Sequence, residues 1–262
     1  MFVTCWKWYP FYLKGVSTVK KMFVLLGMSL LLFGSTVQAQ LNDEEKAEGF
    51  VSMFNGKDLN EWEGNPDLWS VQDGCIVGQT GAEGPTKLTY NQFLIWKGDD
   101  VDDFVIRLDI KLTKDGNSGF QYRSWAIQDE AKPYRVSGYQ ADFDGSHAHS
   151  GILYGEGFGG ILCQRGLETS IEDVDGKRTP KTVRRFAENE ALKKELKVED
   201  WNSYEITAKG FTFTNKINGH VMSISTDNSS ARKSAGIFAV QAHVGPPMKV
   251  EIKNIRIKRL KK

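Results

Sequence analysis

Apolar and polar residues alternate one for one along much of this chain. Phe104, Ile106, Leu108, Ile110 and Leu112 take turns with Val105, Arg107, Asp109 and Lys111, a period of two that predicts a strand with one buried face. Shorter runs of the same kind lie around 69–78, 118–125, 136–144, 151–154, 203–209, 211–217, 235–243 and 248–257. Turn-forming residues separate them: Asp115-Gly116-Asn117, Asp144-Gly145, Asp175-Gly176, Asn218-Gly219 and Gly245-Pro246-Pro247. Asn218-Gly219, set between Phe211–Ile217 and Val221–Ser225, predicts a two-residue hairpin, because both residues tolerate a positive φ.

One stretch has helical character. Phe186 to Leu196 is rich in Ala, Glu, Leu and Lys, and predicts a short exposed helix inside a charged insertion over 165–200. Residues 40–49 are polar and acidic and read as a linker or first helix, and Arg256 to Lys262 as a solvated strand edge. Many short strands, one domain over 50–262 and no internal repeat predict an all-β, two-sheet sandwich or jelly roll.

The first 39 residues stand apart from that domain. Lys20 and Lys21 precede an apolar run from Met22 to Phe33, and the segment ends Val37-Gln38-Ala39. A basic start, a short apolar centre and a small-residue end predict a secretory signal, and hence a periplasmic or extracellular protein. Met22 then serves as the start, with residues 1–21 an upstream extension. The apolar run is too short for a stable membrane span, which disfavours an uncleaved anchor. Without the four lysines of the leader, 30 basic residues face 33 acidic ones, a net −3 that argues against a nucleic-acid partner. Cys5 falls in the leader, leaving Cys75 and Cys163, which either pair or stay as buried thiols.

The polar sides of three strands carry candidate chemistry. Gln140, Asp142 and Asp144 share one face of Gly138–Asp144, opposite Tyr139, Ala141 and Phe143. By the same alternation Gln121, Arg123 and Trp125 share a face, and Gln241 and His243 share another with Ile237 and Ala239. Solvated sandwich faces usually carry Lys and Glu. Amides, a carboxylate, an arginine, an imidazole and an indole instead suit planar hydrogen bonding and stacking against a sugar ring. Asp144, His147 and His149 follow closely enough to be candidate ligands of a divalent metal, and a polar loop gives the same letters by chance.

Several expected motifs are missing. Sandwich-fold glucanases of glycoside hydrolase family 16 place their paired carboxylates as Glu-x-Asp-x-x-Glu. Gln140-Ala141-Asp142-Phe143-Asp144 lacks both glutamates, which disfavours two-carboxylate hydrolysis of that type. There is no Gly-x-Ser-x-Gly elbow, phosphate loop or dinucleotide fingerprint.

A set of segments in order carries a resemblance. They are Phe54-Asn55-Gly56-Lys57-Asp58-Leu59 with Trp62, Trp69-Ser70-Val71, Asp73-Gly74-Cys75-Ile76-Val77-Gly78, Asp103-Phe104-Val105-Ile106-Arg107-Leu108, and Gly116-Asn117-Ser118-Gly119-Phe120-Gln121-Tyr122-Arg123. Gly138-Tyr139-Gln140-Ala141-Asp142, Trp201-Asn202-Ser203-Tyr204, Ile217-Asn218-Gly219, Gln241-Ala242-His243-Val244-Gly245 and Ile255-Arg256-Ile257 complete it. Over roughly 50–260 the chain resembles the 3-keto-disaccharide hydrolase domain family. The resemblance implies a concanavalin A-like jelly roll, a carbohydrate substrate and cleavage of glycosides oxidised to a ketone at C3. That chemistry needs one base for the acidic C2 hydrogen, a stabiliser for the enolate oxygen and groups that grip hydroxyls. It makes His243 and Asp142 base candidates and assigns Arg123, alone or with a divalent metal, to the oxyanion. Gln140, Gln241 and Gln121 would bind hydroxyls, and Trp125 or Tyr122 would stack. One departure stands out: many members carry Gly-Tyr-Glu where this chain has Gly138-Tyr139-Gln140. The competing expectation is a carbohydrate-binding, lectin-like module without catalysis, since the fold serves both.

Overall fold

A computed structural model describes residues 41–261, so the leader expected in residues 1–39 lies outside the described residues. The chain enters through a short helix, α1 (Asp43–Glu48). Asn42 caps it by accepting the Glu45 amide at 2.7 Å. Strands follow as β1 (Val51–Ser52), β2 (Trp62–Glu63), β3 (Trp69–Gln72), β4 (Cys75–Gln79), β5 (Gln92–Trp96), β6 (Phe104–Leu112), β7 (Asn117–Ile127), β8 (Arg135–Asp144), β9 (Leu153–Glu156) and β10 (Gly160–Cys163). Next come β11 (Leu167–Val174), β12 (Lys177–Arg185), helix α2 (Asn189–Lys193), β13 (Asn202–Lys209), β14 (Thr212–Ile217), β15 (His220–Asp227), β16 (Ile237–Ala242) and β17 (Lys249–Arg259).

These strands form the two layers of a jelly-roll sandwich. One sheet has the order β12-β11-β15-β14-β13-β6-β17-β4-β3, with β1 added against β17. The other runs β10-β9-β8-β7-β16-β5-β2. Neighbouring strands are antiparallel except β11 and β15, which run parallel from Glu168↔Ile224 to Ile171↔Asp227. The inward residues of β6, β13 and β17 meet those of β7, β8 and β16 in one apolar core. Phe104 sets its ring edge-on to Phe238 at 4.9 Å and to Tyr122 at 5.8 Å, locking the layers together. Each such buried ring stabilises by about 1.5–3 kcal/mol through the apolar area it removes from water.

Three expectations change. The helix expected over Phe186–Leu196 shrinks to α2, whose N-cap Glu188 makes no side-chain bond to the helix. Most of the charged insertion is instead a hairpin of β11 and β12 turning at Asp175-Gly176, with Ile171 fully buried and Thr169 bonded to Ser225 at 2.9 Å. The C-terminal strand is not a sheet edge: β17 sits between β6 and β4 over Lys249–Ile252 and between β6 and β1 at Arg256 and Ile257. Its basic residues face outward and find acids, Arg256 with Glu45 of α1 at 2.6 Å and Lys249 with Glu251 at 3.3 Å. The sheet ends on β3 at one side and on β12 at the other, where Pro180 lies among Lys177, Arg178, Lys181, Arg184 and Arg185. Cys75 and Cys163 are both buried free thiols. Among the described residues no helix is long and apolar enough to cross a membrane.

Candidate functional site

The outward face of the seven-stranded sheet holds a cavity of about 210 Å³. Strand alternation builds it. In β8, Tyr139, Ala141 and Phe143 enter the core, which turns Gln140 and Asp142 outward. In β16, Val240 and Ala242 enter the core, and Gln241 and then His243 line the cavity. In β9, Leu153 points inward, while Tyr154 and Glu156 complete the wall. Asn91, Asn117, His149, Ile152 and Ile161 close the rim. The structure thus brings together Asp142, Gln140, Gln241 and His243 from the sugar-facing set and His149 from the candidate metal set.

A run of side-chain amides crosses the floor. Gln121 donates to Gln140 Oε1 at 2.6 Å. Gln140 Nε2 donates to Asp142 Oδ1 at 2.6 Å and to Gln241 Oε1 at 3.3 Å. Gln241 Nε2 donates to Glu156 Oε2 at 3.3 Å, and Asn91 donates to Glu156 Oε1 at 3.3 Å. Asn91 is itself held by the Val244 amide at 2.9 Å. Two carboxylates are therefore joined through neutral amides, and among the described residues no Lys or Arg lines the cavity. Glu156 lies beyond the run expected around 151–154, because β9 continues through Gly155. The alternation of Tyr154 and Glu156 about Gly155, beside Gly138–Asp144, is the signal that locates it.

Burial dominates the electrostatics. It pushes the Asp142 carboxyl up to about 7, against the hydrogen bond from Gln140 and with the help of the Asp144 and Glu156 charges. Burial also raises the Tyr154 phenol, reinforced by Glu156 and Asp142. A carboxylate in this range exists in both forms at neutral pH, the condition for proton transfer in either direction. Asn117 Oδ1, buried in the cavity wall, has no hydrogen-bond partner among the described residues.

Arg123, Tyr122 and Trp125 do not reach the cavity. The register of β7 shifts between Tyr122 and Trp125, and Arg123 takes a left-handed φ of 45°. This β-bulge resets the alternation, so Arg123 does not share the face of Gln121. Its guanidinium is fully buried, pairs with Asp103 at 2.8 Å, and donates to the carbonyls of Asp102, Gly210 and Lys233. An arginine so occupied is structural and cannot meet a substrate oxyanion. Tyr122 is buried in the core, stacked on Tyr139. Trp125 packs edge-on against Phe158 at 5.2 Å. Gln121 is wholly buried beneath Gln140 and acts through it.

The donor set Asp144, His147 and His149 does not fit a metal ion. Asp144 accepts from Ser146 Oγ at 2.6 Å and from the amides of Ala148 and His149, so its carboxylate closes the turn after β8. His147 is buried against Phe143, with Nδ1 on Ser150 Oγ at 3.1 Å. Among the described residues no three His, Cys, Asp or Glu side chains are grouped to hold a metal.

Comparison with known proteins places the chain. The sequence profile of the 3-keto-alpha-glucoside-1,2-lyase-like domain matches residues 49–258. A 3-keto-disaccharide hydrolase of Bacteroides thetaiotaomicron is 29% identical over 91 residues, 33% of this chain and 31% of that protein. The match thus spans about a third of that relative's length. Two candidate glycosyl hydrolases of Parabacteroides distasonis share the fold. One is 24% identical with a TM-score of 0.57, covering 85% of this chain and 99% of that one. The other is 16% identical with a TM-score of 0.51, covering 80% and 99%.

Proposed function

The chain belongs to the 3-keto-alpha-glucoside-1,2-lyase-like family of carbohydrate-active, glycoside hydrolase-like proteins, and from that premise we propose that it cleaves 3-keto-glycosides in the cavity of the seven-stranded sheet, with Asp142 as the base. The observation that carries this reading is the Asp142 carboxyl, buried in a polar cavity and poised at about 7. A C3 ketone makes the C2 hydrogen acidic, so one base of modest strength suffices. Asp142 takes the C2 proton, and the electron pair moves onto the C3 oxygen as an enolate. The enolate then reforms the ketone, a C1–C2 double bond appears, and the C1–oxygen bond breaks. His243, half-buried at the cavity mouth, hands a proton to the departing oxygen. Water added across the double bond afterwards turns elimination into net hydrolysis. With Arg123 committed elsewhere, Gln241 and Asn91, which line the cavity and each give one N–H to Glu156, are the amides available to the enolate oxygen and the hydroxyls.

The test is incubation with a 3-keto-glucoside, with and without chelator. Release of the aglycone by the wild type, unaffected by chelator and lost in Asp142→Asn, supports the enzyme. Sugar binding without release, across a range of keto-sugars, makes the chain a lectin-like module instead. We further propose export through the leader of residues 1–39, which the N-terminal sequence of the mature protein checks.

A further inference from the structure

The outward positions of β7 read Asn117, Gly119 and Gln121, and the middle one has no side chain. A Cβ at Gly119 would lie 2.6 Å from Gln140 Cγ, 2.7 Å from Cδ and 2.8 Å from Nε2. Gly119 is not among the residues with positive φ, so its backbone does not call for glycine. The space does. Gln140 starts on β8, and Gly119 opposes Asp142 across the strand pair. The absent side chain opens a lane over β7, and Gln140 lies in it to reach Gln241 on β16, the far neighbour. In that position one amide serves three partners: it accepts from Gln121 and donates to Asp142 and Gln241. All three glutamines are buried, where unpaired amides would be destabilising, so the arrangement is held as a unit.

We propose that Gly119 and Gln140 form a positioning device, in which the empty lane over β7 lets Gln140 fix the carboxylate of Asp142 and tie it through Gln241 to Glu156. Gln140 is then a positioning residue and not a ligand of the sugar. This rests on Asp142 as the base, and the bridge itself is measurable without turnover.

Gly119→Ala is the direct test, since the methyl fills the lane at a backbone conformation open to alanine. In the wild type, the side-chain amide protons of Gln140 and Gln241 should exchange slowly with solvent. In Gly119→Ala they should exchange at least about tenfold faster. With a 3-keto-glucoside, kcat should fall by about 10- to 100-fold with KM within about threefold, the signature of a misplaced base. Gln140→Met keeps the lane and most of the volume, and should lower kcat likewise if Gly119→Ala does not fold. Unchanged amide exchange in Gly119→Ala overturns the bridge. A raised KM at constant kcat in either variant overturns the positioning role and makes Gln140 a sugar ligand. If the wild type cleaves nothing, the reaction proposed above fails, and the exchange rates alone decide whether the bridge exists.

Discussion

The two sheets turn very different polar faces outward. On the ten-stranded sheet the polar positions are long and charged, and they pair. Arg107 reaches Glu205 at 2.8 Å, Lys216 reaches the same carboxylate at 2.9 Å, and Lys111 reaches Glu251 at 2.8 Å. Burial works against Glu205, but Lys216 and Arg107 outweigh it and hold its carboxyl below the ordinary range. On the seven-stranded sheet the corresponding positions are amides and two carboxylates with no Lys or Arg beside them among the described residues, and Asp142 moves the opposite way. Both faces obey the same alternation. The difference teaches that polarity on a sandwich face does not mark a site, whereas a buried charge without a counter-charge does.

That contrast can be broken or sharpened by substitution. The largest effect should come from Asp142→Asn, which keeps the shape and removes the base. Cleavage should fall by about 10³-fold, measured as aglycone release. The same change should stabilise the protein at pH 8 by about 1–3 kcal/mol in chemical unfolding. The sign follows from the direction of the shift. The folded carboxyl sits near 7, above the unfolded 3.8, so the native state is favoured below the unfolded value and loses that advantage as pH rises through 7. Wild-type cleavage should accordingly rise between pH 6 and 8, as Asp142 ionises. Equal stability of the two proteins at pH 8 would show that Asp142 is compensated after all.

Arg123→Met comes next. It strips a buried charge from Asp103 and from three carbonyls, and should lower stability by about 3–5 kcal/mol while leaving the KM for the sugar within about twofold. A large KM change in folded protein would return Arg123 to the site. The smallest effect belongs to the paired face. Glu205→Gln should cost less than about 1 kcal/mol, shrink further in 0.5 M salt, and leave cleavage untouched.

Much of this was legible in the sequence. Alternation in Gly138–Asp144 and Ile237–His243 places Gln140, Asp142, Gln241 and His243 on one outward face, as observed. The same rule misplaced Arg123 and Trp125, because a bulge resets the period and nothing in Tyr122-Arg123-Ser124 announces one. Glu156 was hidden by Gly155, which reads as the end of a strand and is in fact a position packed against the Phe158 carbonyl. The outward basic residues of β17 look the same whether a strand is central or marginal, since alternation reports faces and not neighbours. The β11–β12 hairpin looks like an insertion in the sequence because its charges outnumber its one buried isoleucine, and its place in the sheet depends on the distant β15.

The margin formed by β12 has a consequence for how the protein behaves in crowded solution. A sheet border offers a row of free amides and carbonyls on which another polypeptide can extend the ladder. Here Pro180, opposite Ile171, has no amide hydrogen to offer at the centre of that row, and cationic residues flank it on both sides. A second molecule brought alongside would meet its own repulsive charge and a broken hydrogen-bonding register. This border therefore resists self-templating, where an unguarded strand in the same place would invite a neighbour to extend the sheet.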